Sequence, residues 1–221
     1  MSEAEPAEHS GGDGPFRLAV LISGEGTNLQ AILDRLHGRD GVEVTCVGAN
    51  RPDAPGLERA RAAGVPSGVF PMAAYPDRPS RDHDLADWID AQDVDLVVLA
   101  GFMELLTEGF IARFAGRIVN VHPSLLPAFR GTRAIEQALD YGVKLMGVTV
   151  HFVDEGVDTG AIILQQAFEL PYPADIAAVE ERVHDIEHEL LPQAIRLIAD
   201  GEVSLDPANP RRVLLGSRSR V

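Results

Sequence analysis

The stretch DLVVLAG, from Asp95 to Gly101, decides the fold class of this chain, because its apolar residues run without polar interruption. Such a run is typical of a parallel β-strand that is buried on both faces. Other apolar runs alternate with helical patterns along the chain, with strands at 17–22, 42–49 and near Val69 and helices at 28–36, 57–63, 82–92 and 108–114. This alternation predicts an α/β protein with a right-handed, doubly wound sheet and helices on both faces.

The last third of the chain predicts that this sheet, although mostly parallel, is mixed. Long strands at 144–153 and 161–170 are joined by the short segment DEGVDTG, and this spacing favours antiparallel pairing. A long helix is predicted over 176–200, and a small edge strand at 212–215.

Composition and charge exclude several classes of protein. The 221 residues carry a net charge of −15, and so acidic a surface repels nucleic-acid backbones and does not attract anionic lipids. No window reaches the apolar length of a membrane helix, and no signal peptide is present. The single cysteine, Cys46, fits a reducing compartment. We expect a cytoplasmic protein with one domain over 16–221, preceded by a disordered acidic tail over 1–15.

A glycine loop follows the first strand, in the sequence LISGEGTNLQ. Its segment from Gly24 to Asn28 leads into a helix, and the amides at a helix start favour an anion. Glycines let a ligand approach closely, and Thr27 adds a side-chain donor, so a phosphate monoester fits the loop. A dinucleotide site is an alternative, although Leu29 stands where that fingerprint needs a small residue. A tight turn with an Asn or Thr cap is the structural alternative.

The sequence RIVNVHPSLLPAFRG, residues 117–131, places an amide and an imidazole at the end of a predicted buried strand. Asn120 and His122 have the same strand parity, so they point to the same side, at the strand ends where ligands bind in such sheets. Together they suit the stabilisation of an oxyanion. Asp158, in a glycine-flanked turn, would add an acid for proton transfer. The structural alternative is an Asn and a His that only satisfy nearby backbone groups.

Four segments resemble a known family: LISGEGTNLQAIL, VVLAGFMELL, NVHPSLLPAFRGT and GVTVHFVDEGVDTGAIILQQ. They occur in the order found in the folate-dependent formyltransferases, and the glycine loop is similar to that of the branch acting on glycinamide ribonucleotide. The resemblance runs from about Arg17 to Asp200. It implies a Rossmann-like formyltransferase fold and direct transfer of a formyl group from 10-formyltetrahydrofolate, the co-substrate, to the amine of glycinamide ribonucleotide through a tetrahedral intermediate.

The resemblance also implies roles for individual residues. Asn120, His122 and Asp158 match the catalytic trio of the family. The residues implied to bind the ribonucleotide are Gly26, Thr27, Asn28 and Arg78 at its phosphate and Glu187 at its ribose. Those implied to line the folate slot are Met103, Leu105, Leu106, Val153, Asp154, Glu155, Gly156 and Val157. No metal and no nicotinamide is implied, and we expect a monomer or homodimer that acts on small molecules.

Several features of the sequence stand apart from this pattern. Family members often carry Pro-Gly where this chain has Arg130-Gly131, and often carry Arg where it has Glu104. His151 is either a satisfied core histidine or a supporting group behind the catalytic trio. The segment HDIEH, residues 184–188, matches a zinc-protease pattern, but a helix rich in acids and histidines is more often simply solvated.

Three hypotheses about function follow. The first is a formyltransferase acting on glycinamide ribonucleotide. The second is another enzyme that uses 10-formyltetrahydrofolate, either a formyl-folate hydrolase or a methionyl-tRNA formyltransferase; the acidic charge and the lack of a basic C-terminal domain argue against tRNA. The third is a non-catalytic nucleotide-binding module, against which the presence of all three trio residues counts.

Overall fold

A computed structural model describes residues 14–216 of the chain. The chain divides into two compact units, Met1–Val119 and Asn120–Val221. Residues 1–13, which make up most of the predicted acidic tail, lie outside the described range. Within that range, no helix combines the length and the apolar character needed to cross a membrane.

The first unit is a parallel α/β unit. Its elements are β1 (Phe16–Ile22), α1 (Thr27–Arg35), β2 (Val42–Ala49), α2 (Gly56–Ala62), β3 (Ser67–Val69), a 3-10 helix (Met72–Ala74), α3 (Arg78–Asp90), β4 (Leu96–Leu99) and α4 (Glu108–Arg113). β1 pairs in parallel with β2 and β4, and β2 pairs in parallel with β3. The strand order is therefore β3-β2-β1-β4, which confirms the parallel, alternating arrangement expected from the sequence.

β1 and β4 form the core of this unit. Residues Leu18 to Ile22 have no exposed surface, and all four residues of β4 are buried. β2 makes room for this core at Gly48, where a Cβ atom would lie 2.6 Å from the Leu21 side chain. Cys46, on the same strand, is also buried, and desolvation raises the pKa of its thiol to about 12.

α3 begins four residues before the helix that the sequence predicts. Asp77 precedes the helix in an extended conformation, and its carboxylate accepts a hydrogen bond from the Ser80 N–H at 2.8 Å. Pro79 follows in the first turn, where a missing N–H has no cost. The apolar periodicity starts only at Leu85, so the earlier turn depends on its cap rather than on burial of apolar residues.

The second unit contains the antiparallel part of the sheet. β5 (Ile118–His122) ends within this unit, and the elements that follow are α5 (Ala134–Tyr141), β6 (Leu145–Phe152), β7 (Ile162–Glu169), α6 (Ile176–Ala199), β8 (Val203–Asp206) and β9 (Asn209–Leu215). β6 and β7 pair antiparallel, which confirms the predicted mixed sheet. β9 pairs in parallel with β7 at Ile162 and Arg212, and antiparallel with β8. The sequence predicted β9 only in part, and it predicted neither α5 nor β8.

Candidate functional site

Four polar side chains of the second unit meet at the end of β5. The amide nitrogen Nδ2 of Asn120 lies 3.2 Å from Nε2 of His151. The carboxylate of Asp158 lies 3.5 Å from Nδ1 of His122 and 3.7 Å from Nε2 of His151. The structure therefore brings Asn120, His122 and Asp158 into one cluster, with His151 between the amide and the acid.

The ring of His122 is held by the loop that follows its strand. Its Nε2 lies 2.9 Å from the carbonyl oxygen of Phe129. A carbonyl oxygen can only accept a hydrogen bond, so Nε2 carries the proton of this contact. The other ring nitrogen, Nδ1, is thereby directed to Asp158. The structural alternative, a His bonded to a backbone carbonyl, is thus correct for Nε2. It does not account for Nδ1, which faces the Asp158 carboxylate.

A buried threonine fixes the loop after β5. Thr149 donates its hydroxyl hydrogen to the carbonyl of Ser124 at 2.7 Å and accepts from the N–H of Leu126 at 3.2 Å. Gln165, its cross-strand neighbour on β7, donates to the Thr149 hydroxyl and to the carbonyl of Leu126, both at 2.9 Å. Sequence reasoning missed this pair. The available signal was two polar residues placed within otherwise apolar strands.

His151 determines which way the Asn120 amide faces. Its Nδ1 donates to the carbonyl oxygen of Phe152 at 2.7 Å, so Nε2 is the acceptor for one hydrogen of the Asn120 amide. Burial lowers the pKa of the His151 ring below its ordinary 6.5, against smaller opposing effects of the Phe152 carbonyl and the Asp158 charge. A neutral ring in this tautomer leaves the second hydrogen of the Asn120 amide for a ligand.

The turn between β6 and β7 presents Asp158 to this cluster. Asp158 has a φ of 50°, in the left-handed region, and its Oδ2 accepts a hydrogen bond from the Gly131 N–H at 2.7 Å. Gly160 is required, because a Cβ atom there would lie 1.8 Å from the carbonyl oxygen of Phe152. From β9, Arg211 donates to the carbonyl of Thr159 at 3.1 Å, so the C-terminal hairpin also supports the turn.

The residues assigned by resemblance to a folate slot include exposed apolar side chains in each unit. Met103 is 75% and Leu105 is 57% exposed in the first unit, and Val157 is 46% exposed in the second. Asp154 has a local structural contact, because its Oδ1 accepts hydrogen bonds from the Gly156 N–H and the Thr159 hydroxyl. Leu106 and Val153 are partly buried, whereas Glu155 and Gly156 are exposed.

The glycine loop of the first unit is built on contact between two glycines. Gly26 has a φ of 69°, and a Cβ atom on it would lie 2.7 Å from the Cα of Gly56. The N–H of Gly56 donates to the carbonyl of Gly24 at 3.0 Å, and Arg59 donates to the carbonyl of Glu25 at 2.7 Å. Packing therefore explains why Gly26 is a glycine. By contrast, a Cβ atom on Gly24 would meet nothing within 4 Å.

The cap predicted by the structural alternative for this loop is absent, because neither an Asn nor a Thr caps α1. The N-cap residue is Gly26, and no side chain makes a capping hydrogen bond there. Thr27 and Asn28 instead occupy the first turn of the helix. Arg78 is exposed at the first position of α3 in the same unit, and Glu187 is buried on α6 of the second unit.

The His-x-x-Glu-His pattern on α6 places two histidine rings one helical turn apart. The rings of His184 and His188 stack with centroids 6.2 Å apart and planes inclined by 13°. Among residues 14–216, no three His, Cys, Asp or Glu side chains are grouped so that they could hold a metal ion.

The α/β fold carries an amide, an imidazole and a carboxylate at a strand end. These groups are typical of enzymes that transfer acyl groups. The family model for formyl transferase matches residues 16–195, so the chain belongs to the formyl transferase family. It is 42% identical over 191 residues to the phosphoribosylglycinamide formyltransferase of Haemophilus influenzae, covering 86% of this chain and 90% of that protein. It is also 42% identical over 190 residues to the human trifunctional purine biosynthetic protein adenosine-3, of which it covers only 19%.

Solved structures agree with these relatives. The crystal structure of glycinamide ribonucleotide transformylase 1 from Symbiobacterium toebii matches with a TM-score of 0.88 at 45% identity, covering 97% of this chain and all of that one. The predicted α/β fold, with helices on both sides of a mixed sheet, is thereby confirmed. The structural match also extends beyond residue 195, where the family model ends.

We expect the His151 ring to stay neutral, with its hydrogen on Nδ1, at pH 6.5, where a free histidine is half protonated. Because its folded-state pKa is lowered, the neutral ring contributes stability that is present above pH 6.5 and is lost as the pH falls toward the folded-state pKa. Ring ¹⁵N chemical shifts, followed between about pH 5 and 8, measure the protonation state and the tautomer of His151. A ring that is half protonated at pH 6.5, or an Nε2–H tautomer, would contradict the expectation.

Proposed function

We infer that this chain transfers a formyl group from 10-formyltetrahydrofolate to the amine of glycinamide ribonucleotide, a reaction of purine biosynthesis. The observation that carries the inference is the cluster of Asn120, His122 and Asp158 at the end of β5. This cluster lies in a chain that aligns over 86% of its length with an enzyme named for that reaction. An amide, an imidazole and a carboxylate can together stabilise an oxyanion and transfer protons, which are the two tasks of acyl transfer between nitrogens.

The first chemical task is to stabilise an oxyanion. Attack of the substrate amine on the formyl carbon turns the formyl oxygen into an oxyanion in a tetrahedral intermediate. Asn120 can donate its second amide hydrogen to that oxygen, since His151 accepts the first. A donor that is oriented before the reaction requires no reorganisation when the charge develops. His122 lies beside it, with its Nδ1 3.5 Å from the Asp158 carboxylate.

The second task is to remove a proton from the attacking nitrogen. That nitrogen becomes cationic on attack and must lose a proton. The folate nitrogen takes up a proton as its bond to the formyl carbon breaks, and the oxyanion returns to a carbonyl in the new amide. Asp158 can accept the proton directly or through one water. Its Oδ2 is already bonded to the Gly131 N–H, so Oδ1 is the better placed of its two oxygens for this role.

Substrate binding is proposed for the remaining residues of the resemblance. Thr27, Asn28 and the amides at the start of α1 would bind the phosphate, together with Arg78, and Glu187 would bind the ribose hydroxyls. The exposed apolar side chains of Met103 and Leu105, both in the first unit, support a role in contacting the flat pterin ring. Cytoplasmic location and a monomeric or homodimeric state stay predictions from the sequence.

The proposed function is tested by mixing the protein with 10-formyltetrahydrofolate and glycinamide ribonucleotide. We expect deformylated folate to accumulate, measured by absorbance, and formylated ribonucleotide to appear in equal amount, measured by mass spectrometry. Deformylation without the ribonucleotide would indicate a hydrolase instead. No reaction with both substrates present would favour a binding module.

Asp158→Asn should lower kcat on the order of 100-fold, the usual effect of losing a positioned acid–base group. KM for both substrates should change little. The fold should survive, because Asn tolerates a φ of 50° and can still accept the bond from Gly131. Asp140→Asn, which removes an exposed carboxylate on α5, is the control. If Asp158→Asn kept its kcat and lost ribonucleotide affinity, Asp158 would be a substrate ligand and another base would be needed.

A pair of glycine variants separates phosphate binding from packing. Gly24→Ala should raise KM for the ribonucleotide and leave Tm unchanged, because the added methyl group meets no protein atom but enters the phosphate space. Gly26→Ala should instead lower the free energy of unfolding, by about 1 kcal/mol for the left-handed φ alone, with the contact to Gly56 adding to that loss. Kinetics and thermal unfolding measure the two effects. An unchanged ribonucleotide KM in Gly24→Ala would place the phosphate elsewhere.

A further inference from the structure

The loop between β4 and α4, residues 100–107, has no regular secondary structure, yet the first unit holds it at several points. The N–H of Met103 donates to the hydroxyl of Ser23 at 2.8 Å. The N–H of Thr107 donates to Oδ2 of Asp82 at 2.6 Å. Both contacts join residues far apart in sequence, so the backbone of this β4–α4 loop is fixed near each end by side chains from other elements.

Glu104 supplies a third anchor, in the middle of the loop. Its Oε1 accepts a hydrogen bond from the Asn50 amide at 2.8 Å, and its Oε2 forms a short ion pair with Nη1 of Arg81. Both oxygens of the carboxylate are therefore engaged within the protein. Glu104 thus faces inward and serves the loop rather than a ligand.

Arg81 is the centre of this cluster. It lies on α3 with no exposed surface, and its Nε donates to Oδ1 of Asp82 at 2.6 Å while Nη1 pairs with Glu104. Its guanidinium also lies 5.7 Å from the ring centroid of Phe102, within the same loop. The planar fork of arginine allows one side chain to hold two carboxylates in defined directions.

The inward anchor determines how the neighbouring side chains face. Glu104 points into the protein, whereas Met103 and Leu105, on either side of it, are 75% and 57% exposed. Two large apolar side chains exposed two positions apart on an anchored loop are available to contact an apolar ligand. Buried ion pairs contribute little to stability in comparison with apolar packing, because desolvation of the charges offsets their attraction. Stability alone is therefore a poor explanation for this cluster.

We propose that Arg81 and Glu104 are positioning residues that hold the β4–α4 loop in the conformation that binds the folate co-substrate. This inference rests on the proposed function, since it assigns Met103 and Leu105 to the wall of the folate slot. It also gives a role to Glu104, one of the two departures of this sequence from the pattern it resembles. The pair acts through the loop, and neither side chain contacts the reacting atoms.

The test is Glu104→Gln, which keeps the shape of the side chain but removes its charge. We expect KM for 10-formyltetrahydrofolate to rise roughly 10-fold, the scale of losing a charge-assisted hydrogen bond. KM for the ribonucleotide and kcat at saturating folate should stay within about twofold of the unmodified protein, because uniform binding of one substrate is what is lost. Calorimetric titration with tetrahydrofolate should show the same loss of affinity without any reaction.

A second variant and a control make the outcome decisive. Arg81→Lys keeps a positive charge beside Asp82 but lacks the fork that reaches Glu104, so it should reproduce the selective loss of folate affinity. Glu108→Gln removes a nearby exposed carboxylate from the start of α4 and should behave as the unmodified protein. Equal increases of both KM values, or unchanged folate affinity in either Arg81→Lys or Glu104→Gln, would overturn the proposal.

Failure of the proposed function would look different from failure of this inference. If the unmodified protein transferred no formyl group and bound no tetrahydrofolate, the function itself would be wrong and the inference would fall with it. If the unmodified protein transferred formyl normally and Glu104→Gln did the same with unchanged folate affinity, only the positioning role would be wrong. Thermal unfolding of each variant shows whether a change in KM follows a general loss of structure.

Discussion

The hydrogen bond from Nδ1 of the buried His151 to the carbonyl oxygen of Phe152 is the interaction on which the rest of the site depends. Burial keeps the ring neutral, and the carbonyl places its single proton on Nδ1. Nε2 must then accept, which orients the Asn120 amide and leaves one of its hydrogens for an oxyanion. A protonated His151 would carry a hydrogen on Nε2, and Nε2 could then no longer accept the hydrogen bond that orients the Asn120 amide. One backbone carbonyl, at the last residue of β6, thereby determines which nitrogen of His151 accepts the hydrogen of the Asn120 amide.

His122, like His151, is oriented by a hydrogen bond to a backbone carbonyl oxygen. Phe129 and Asp158 occupy opposite sides of the His122 ring, and the loop that presents Phe129 is itself held by Thr149 and Gln165. Every polar group that the site needs is buried or half-buried, so each requires a partner, and these partners are mainly backbone groups. Backbone partners cannot change rotamer. The site therefore gains its order from the strand ends and loops rather than from other flexible side chains.

Much of the fold and of the site could be predicted from the sequence. Uninterrupted apolar runs such as 95–101 predicted the buried parallel strands, and strand parity predicted that Asn120 and His122 share a side. α5 and β8 were missed, because α5 follows a left-handed residue, Arg133, with no side-chain cap, and β8 is short and only partly buried. The loop contacts of Thr149 and Gln165 were also missed, since side chains that bond across strands leave no periodic signal.

The sequence by itself determined the class of fold, the family and the identity of the groups available for chemistry, because periodicity and local motifs are properties of neighbouring residues. Only the tertiary structure decided what each group contacts. It assigned Gly26 to packing against Gly56, placed His151 between amide and acid, and turned Glu104 inward to a buried arginine. Most of these contacts join residues far apart in the sequence, such as Asn120 and His151 or Arg81 and Glu104. Such contacts depend on how strands and helices pack, and packing is settled by the whole buried core rather than by any local segment.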